Sequence, residues 1–415
     1  MSRQVSASSD PLNVNKEKTT MLMNDDRIKR MLLDNNLAAV IATAPENVLY
    51  TSGFWCLPQW IRRGPQAFVV WTGDPAYSSA VITGTSTLDL VADQQVPGRV
   101  RRYGAFTVDI DPSVTLDAVS LRQAELQALP DEGSAIAALV AEIRNAGLTR
   151  ESIGIDEIGL LPGDIEKLRA ELPKVRWVMA ASLLRSVRAV KTAEEIDMLR
   201  TVGQITERSI MAALSVAKVG ATEIELARAF HAQTVQEDGV PVLGCIGFGE
   251  RSALMNVQPS TRILRERDVI RFDVGGHFNH YRADIARIAC FGEPAPDIRL
   301  KYAALNKGVQ RGVENIRPGV ATSEIFRIVV ETVREEGIPS YQRSHVGHGI
   351  GLDGYDMPLL SASSTDVLEA GMVLCIETPY YELGRVGLQV EDMLVVREDG
   401  AEMLTNAGDQ LMVLN

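Results

Sequence analysis

Beyond its first two dozen residues the chain alternates between short apolar runs and amphipathic stretches. DDRIKRMLLDNNL, starting at Asp25, repeats its apolar positions three and four apart, the spacing of one helix face. AAVIATA (38–44), AFVVW (67–71), SAVITG (79–84) and SIGIDE (152–157) are apolar runs of strand length, and PENVLYTSGF (45–54) reads as a turn between elements. SAIAALVAEIRNAG (134–147) and PGDIEKLRAEL (162–172) return to helical spacing. Strands and helices in alternation predict a mixed α/β domain over residues 25–186, with helices on the faces of a sheet. Residues 1–24 are rich in Ser, Asn and Lys and read as a flexible arm or a swapped tail.

The second domain, 187–415, opens on a helix start. Thr192 and Glu195 in KTAEEIDMLR have the spacing of a capping box, and a long helix follows to about Val216. The pattern then repeats. VGATEIELARAF from Val219 resembles PGVATSEIFRIV from Pro318, with Gly220 and Gly319 in register 99 positions apart. DVIRFD, ending at Asp273, resembles MVLCIE, ending at Glu377, 104 positions later; Asp284 and Glu391 are 107 apart. Similar offsets for a helix and two strands predict two related αβ halves, each presenting an acidic hairpin to a shared site.

Those strands carry the candidate chemistry. Side chains alternate between faces along a strand, so Val269, Arg271 and Asp273 share one face, as do Asp284, Ala286 and Ile288. Carboxylates pointing inward from apolar hairpins are costly to bury uncompensated, and four together are prohibitive. Divalent cations remove the cost. Asp273, Asp284, Glu377 and Glu391, joined by His348 in GHGIGL, form a hard-oxygen set with one imidazole that suits two ions, Mn²⁺ first, with Co²⁺, Fe²⁺ or Zn²⁺ as alternatives.

Composition narrows the partners. The 415 residues are 46% hydrophobic and carry a net charge of −12, which steers nucleic acid and anionic membranes away and leaves small molecules or short peptides. No apolar run has the length of a membrane span and no leader precedes a cleavage site. Four scattered cysteines without a CxxC pair read as buried thiols, and the expected location is cytoplasmic.

The segments RFDVGG…YRADIAR, GHGIGL, MVLCIETPYYE and LQVEDMLVV resemble the motifs of the pita-bread metallopeptidase family, which includes methionine aminopeptidase, Xaa-Pro aminopeptidase, prolidase and the metal-free creatinase. RIKRMLLDNNLAAVIATAPENVLYTSGF is similar to the creatinase/prolidase N-terminal domain, and LLRSVRAVKTAEEIDMLR to the junction between the domains. The resemblance implies an α/β fold of pseudo-two-fold αβ halves behind a creatinase-type domain, with Asp273, Asp284, His348, Glu377 and Glu391 as the metal ligands. It further implies hydrolysis of an amide by a water activated between two metals, Glu377 moving its proton.

The chain departs from the family at three histidines. Asn256 in ALMNVQPS, Ser344 and Tyr355 stand where the resemblance places them, with His345 one position displaced. Asn and Tyr donate hydrogen bonds but do not shuttle protons at neutral pH. His345, His277 and His280 are the candidate replacements, the last two reading first as members of a solvated turn. In GFWCLPQWIRRGPQAFVVW, Trp60, Arg62 and Arg63 resemble a loop that in creatinase-like relatives reaches into a neighbouring subunit's site, where an arginine fork takes a substrate carboxylate. The expected assembly is a homodimer. The leading reading is an Xaa-Pro dipeptidase or aminopeptidase. A specialised enzyme acting on a small carboxylated substrate by hydrolysis or elimination is the alternative, and a catalytically silent binding protein the third.

Overall fold

The computed structural model describes residues 22–61, 66–74, 77, 79–406 and 411–415. Contacts divide the chain into one unit of Leu22 and Leu32–Ala181 and another of Met23–Met31 and Ser182–Asn415. Where the sequence pattern set the boundary at 186/187, the division falls at Ala181/Ser182, and Met23–Met31 group with the second unit.

The first unit holds strands β1 (Ala39–Ala42), β2 (Phe68–Trp71), β3 (Ser79–Gly84), β4 (Arg99–Tyr103), β5 (Ser152–Ile155) and β6 (Arg176–Met179) in a sheet of order β4-β3-β2-β1-β5-β6. Its pairings are mixed, antiparallel for β1 with β2 and β2 with β3, and parallel elsewhere. Helix α1 (Asp25–Asp34) crosses the division at Met31/Leu32, helices α2 (Pro45–Ser52), α3 (Leu57–Ile61), α4 (Leu88–Asp93), α5 (Ala118–Gln127), α6 (Ala135–Asn145) and α7 (Asp164–Glu171) connect the strands, and α8 (Ala181–Ala189) belongs to the second unit from Ser182 onward. Ala138, Leu139 and Ile143 of α6 pack on Ile41, Phe68, Val70 and Ile82, so the continuous apolar runs are strands buried on both faces. PENVLYTSGF is a helix rather than a turn. Pro45 sits at its first position, where the missing N–H costs nothing, and Gly53 closes it at φ 71°.

The second unit contains α9 (Ala193–Ser215), α10 (Glu223–Gln236), α11 (Pro296–Asn315) and α12 (Thr322–Glu335). Its strands are β7 (Val240–Phe248), β8 (Val269–Phe278), β9 (Tyr281–Arg282), β10 (Ile285–Phe291), β11 (His345–Gly349), β12 (Asp356–Ser361), β13 (Val373–Glu377), β14 (Tyr380–Glu382), β15 (Val386–Leu388), β16 (Glu391–Arg397), β17 (Gly400–Met403) and β18 (Met412–Leu414). The large sheet runs β12-β11-β13-β16-β10-β8-β7. The predicted repeat is present: β7-β8-β10 and β11-β13-β16 are two meanders meeting at β10 and β16, and helix pairs α9/α10 and α11/α12 match them. Gly220 (φ 91°) and Gly319 (φ 87°) open equivalent turns, and their N–H groups donate to Leu264 O and Leu368 O at 2.9 Å in both cases. The capping box forms, Thr192 Oγ1 accepting from Glu195 N–H and Glu195 accepting from Thr192 N–H. No helix among the described residues is long and apolar enough to cross a membrane.

Candidate metal centre

Strand register gathers the acidic side chains. Asp273 on β8 lies opposite Ala286 on β10, Ala286 opposite Glu391 on β16, and Glu391 opposite Glu377 on β13. Residues paired across an antiparallel ladder share a face, so these four form one row. Asp284 is two residues before Ala286 and on the same face. His348 on β11 pairs with Cys375, two before Glu377, and joins that face from the other half. All five sequence-predicted ligands therefore converge on one side of the sheet. Ala286, the row's small member, leaves the space between Asp273 and Glu391 open.

The hairpin carrying Asp273 and Asp284 is shaped by its turn. Asn279 (φ 48°) and His280 (φ 72°) are both left-handed, as a two-residue hairpin loop of this twist requires. Beneath it Gly275 lets the strands close: a Cβ there would meet Ala283 O at 1.8 Å.

Ligand atoms of Asp273, Asp284 and Glu391 lie within 4.8 Å of one another, and those of His348, Cys375 and Glu391 do likewise. Nearly all are withdrawn from water; His348, Glu377 and Glu391 are 0%, 5% and 2% exposed. Burial and the neighbouring carboxylates raise Asp284 and Glu391 well above the usual carboxylate range. Burial likewise pushes Asp273 up to about 6, the Arg271 guanidinium holding it from going further. Burial holds His348 below the usual imidazole value. Asp284 Oδ1, Glu377 Oε1 and His348 Nε2 are buried with no hydrogen-bond partner. Unsatisfied oxygens and a nitrogen aimed at one another, in a set that cannot all ionise together, fit divalent cations.

A surrounding layer fixes these groups. Arg271, fully buried, donates from Nη1 to Asp273 Oδ2 (3.1 Å) and Gln389 Oε1 (2.9 Å). Its Nη2 donates to the carbonyls of Leu254 (2.7 Å) and Met255 (2.9 Å). Gln389 in turn donates to Glu391 Oε2 at 3.0 Å. The alternation rule put Arg271 on the face of Asp273, but its span to the Leu254–Met255 loop follows only from the fold. Cys375 also escaped the sequence reading, although its place two before Glu377 marks the shared face. Its thiol donates to Asp284 O (3.4 Å), and burial among carboxylates pushes its pKa up, so it braces the Asp284 backbone as a neutral thiol.

The other candidates separate by position. His345 Nε2 lies 2.9 Å from Glu377 Oε1, out of hydrogen-bond alignment, and its Nδ1 is 3.0 Å from Ser344 Oγ. The Tyr355 ring, 52% exposed, stacks on His348 at 3.8 Å and 17°. Its loop is tethered from α8 and β9: Arg188 pairs with Asp356 at 3.2 Å and Arg282 donates to Leu352 O at 3.1 Å. Asn256 is exposed on the loop whose neighbouring carbonyls Arg271 holds. His277 and His280 are half-buried and stack on each other at 5.7 Å, four or more residues along the chain from Asp273. Burial lowers both, His280 to about 4. Trp60 is half-buried in α3, and Arg62 and Arg63 lie outside the described residues.

Comparison with known proteins agrees with this geometry. Residues 197–398 match the model of metallopeptidase family M24, and residues 26–190 match the creatinase/prolidase N-terminal domain. An uncharacterized peptidase of Staphylococcus aureus (strain USA300) is 29% identical over 289 residues, spanning 64% of this chain and 82% of that protein. The fold is shared with an X-Pro aminopeptidase from Thermotoga maritima at 21% identity and TM-score 0.75, covering 94% of this chain and 99% of the other. It is shared too with a prolidase from Pyrococcus furiosus at 23% identity and TM-score 0.71, covering 91% and 99%. The matched family is one of metallopeptidases, and the clustered carboxylates and imidazole here are groups able to hold a divalent metal. Residues 197–398 thus carry the pattern of metallopeptidase family M24 and residues 26–190 that of the creatinase/prolidase N-terminal domain, the domain order of the pita-bread family.

Proposed function

We propose that the protein is a dinuclear metal-dependent hydrolase of the Xaa-Pro dipeptidase or aminopeptidase type, cleaving an amide C–N bond. The observation that carries this reading is the row of Asp273, Glu391 and Glu377 with Asp284 and His348 on one sheet face, where Asp284 Oδ1, Glu377 Oε1 and His348 Nε2 are buried without a hydrogen-bond partner. Asp273, Asp284, His348, Glu377 and Glu391 would hold two divalent ions, Mn²⁺ first. Bound there, such ions supply a water nucleophile at neutral pH and polarise the scissile carbonyl.

The chain's own groups do the rest. Glu377 presents its unpartnered Oε1 to the cluster, placed to take a proton from the attacking water and pass it to the leaving nitrogen. Tyr355, stacked on His348, offers a neutral O–H donor at the mouth of the site, burial and nearby carboxylates keeping it protonated. Asn256, on the Arg271-held loop, supplies a second neutral donor if the loop carries it inward on substrate binding. His345 Nε2 reaches the Glu377 carboxylate, 2.9 Å from Oε1. Arg62, Arg63 and Trp60 are proposed to contribute to a neighbouring subunit's site in a homodimer, by the resemblance of their segment. Four buried cysteines, all free, support a reducing, cytoplasmic setting.

One observation favours a second reading. Asn256, Ser344 and Tyr355 replace three proton-handling histidines, which suits a small carboxylated substrate whose amide, amidine or elimination chemistry needs fewer proton transfers. Protein loaded with Mn²⁺ or Co²⁺ and offered Xaa-Pro dipeptides beside small N-acyl and betaine-like acids separates the two. Release of proline from the peptides supports the first reading, turnover of the acids alone supports the second, and no metal-dependent turnover of either refutes both.

A further inference from the structure

His345 has a chemistry that its neighbours define. It lies three residues before His348 on β11, a spacing that in a regular strand turns two side chains to opposite faces. The β11–β12 register is irregular between these two residues, and Gly347 between them takes φ 149°. A side chain at Gly347 would also meet Cys375 O at 2.2 Å. This break turns both rings to the carboxylate face, with centroids 6.5 Å apart.

The two imidazoles are then set up alike. His348 Nδ1 lies 3.0 Å from the carbonyl of Gly349, which only accepts, so Nδ1 carries the proton and Nε2 presents a lone pair. His345 Nδ1 lies 3.0 Å from Ser344 Oγ, an oxygen able to accept in the same way. Both Nε2 atoms are buried and without a hydrogen-bond partner. His348 Nε2 faces Asp284 Oδ2 and Glu391 Oε1, each at 3.9 Å, and His345 Nε2 faces Glu377 Oε1 at 2.9 Å. No aligned proton joins that last pair, and Glu377 Oε1 has no other partner. Two lone-pair atoms so close repel unless they share a cation. Donors each about 2.1 Å from one ion and at right angles to each other stand about 3 Å apart.

We propose that His345 is a sixth metal ligand, entering through Nε2 beside Glu377, with Ser344 Oγ fixing its tautomer as a metal-bound imidazole requires. The inference rests on the metal-centre reading above. It gives the centre one imidazole from each of two positions on β11, and so a stronger bias toward Mn²⁺, Fe²⁺, Co²⁺ or Zn²⁺ over Mg²⁺ than one imidazole confers. It also removes His345 from the list of proton carriers, since a nitrogen held by a metal does not shuttle.

The test uses the full chain loaded with Co²⁺, whose unpaired electrons displace the proton signals of any imidazole bound to it. Two sets of displaced imidazole signals are expected. His345→Gln is expected to remove one set and weaken Co²⁺ binding at least about tenfold, and Ser344→Ala, which keeps the ring, to weaken binding by a smaller factor. A single set in the unaltered protein overturns the proposal whatever the variants do, and so does a His345→Gln spectrum with both sets intact. If the unaltered protein binds no Co²⁺, the metal-centre reading itself falls; if it binds Co²⁺ and shows one set, that reading stands and only His345 is withdrawn.

Discussion

Arg271 is the residue on which the order of the site turns. A cation buried completely beside Asp273 offsets part of what burial and Glu377 do to that carboxylate, and through Gln389 it also orients Glu391. Replacing it with methionine keeps most of the volume and strands four acceptors. Breaking a buried ionic network this way costs about 3 kcal/mol or more. Arg271→Met is therefore expected to lower the unfolding free energy by that order in denaturant titrations and to weaken metal binding in the same preparation; unchanged values for both would remove Arg271 from the support of the centre.

Glu195 makes a second residue-scale prediction, away from the ligands. Its carboxylate caps α9, accepts from Tyr281 Oη at 3.0 Å and is 1% exposed. Burial pushes its pKa up to about 7 from an ordinary value of 4.5, Lys191 acting against the shift. An acid with a raised folded-state pKa holds its proton more tightly when folded, so its contribution is most favourable below pH 4.5 and is lost as pH rises toward 7. Relative to Glu195→Gln, which cannot titrate, the native protein should lose stability between pH 5 and pH 8. A stability difference that stays flat over that range would contradict the shift.

At the scale of elements, register decides what the sequence alone could not. The five candidate ligands were legible because each stands in a strand-like or Gly-rich apolar run, and alternation showed which residues share a face. Which strands are neighbours was not legible, so the row through Ala286 was invisible although Ala286 itself was seen beside Asp284. The same limit hid Cys375, whose partner is a backbone carbonyl 91 positions away. The helix at Pro45–Ser52 was misread as a turn because its proline and closing glycine are signals that helix ends and turns share. Arg185, Arg188 and Lys191 recur at helical spacing, yet their convergence on Asp356 under the Tyr355 loop emerges only in three dimensions. The row yields a direct prediction. Ala286→Leu places a branched side chain between Asp273 and Glu391, so metal binding should be lost while overpacking costs only about 1–3 kcal/mol. Retained metal affinity in a folded Ala286→Leu protein would show that the gap is not where the ions sit.

At the scale of the whole molecule, two αβ halves each bring a pair of carboxylates to one face, and neither half alone holds all five candidate ligands. The repeat was readable at Gly220 and Gly319 because left-handed turns constrain sequence tightly, whereas the helices between them keep only their apolar spacing. Without metal, that shared face concentrates carboxylates that burial holds above their usual pKa, so metal loading should stabilise the fold with the logarithm of metal concentration over dissociation constant. The proposed homodimer is checked by light scattering on a sizing column, where twice the chain mass is expected and the chain mass alone would withdraw the contribution of Arg62 and Arg63 to a neighbouring site.

The central claim is that Asp273, Asp284, His348, Glu377 and Glu391 hold two divalent ions. Calorimetric titration of chelator-stripped protein with Mn²⁺ tests it most directly. Two equivalents per chain are expected for the native protein, with binding weakened by at least about tenfold in Glu391→Ala, the ligand common to both clusters. Absence of binding, or binding untouched by Glu391→Ala, would contradict the account.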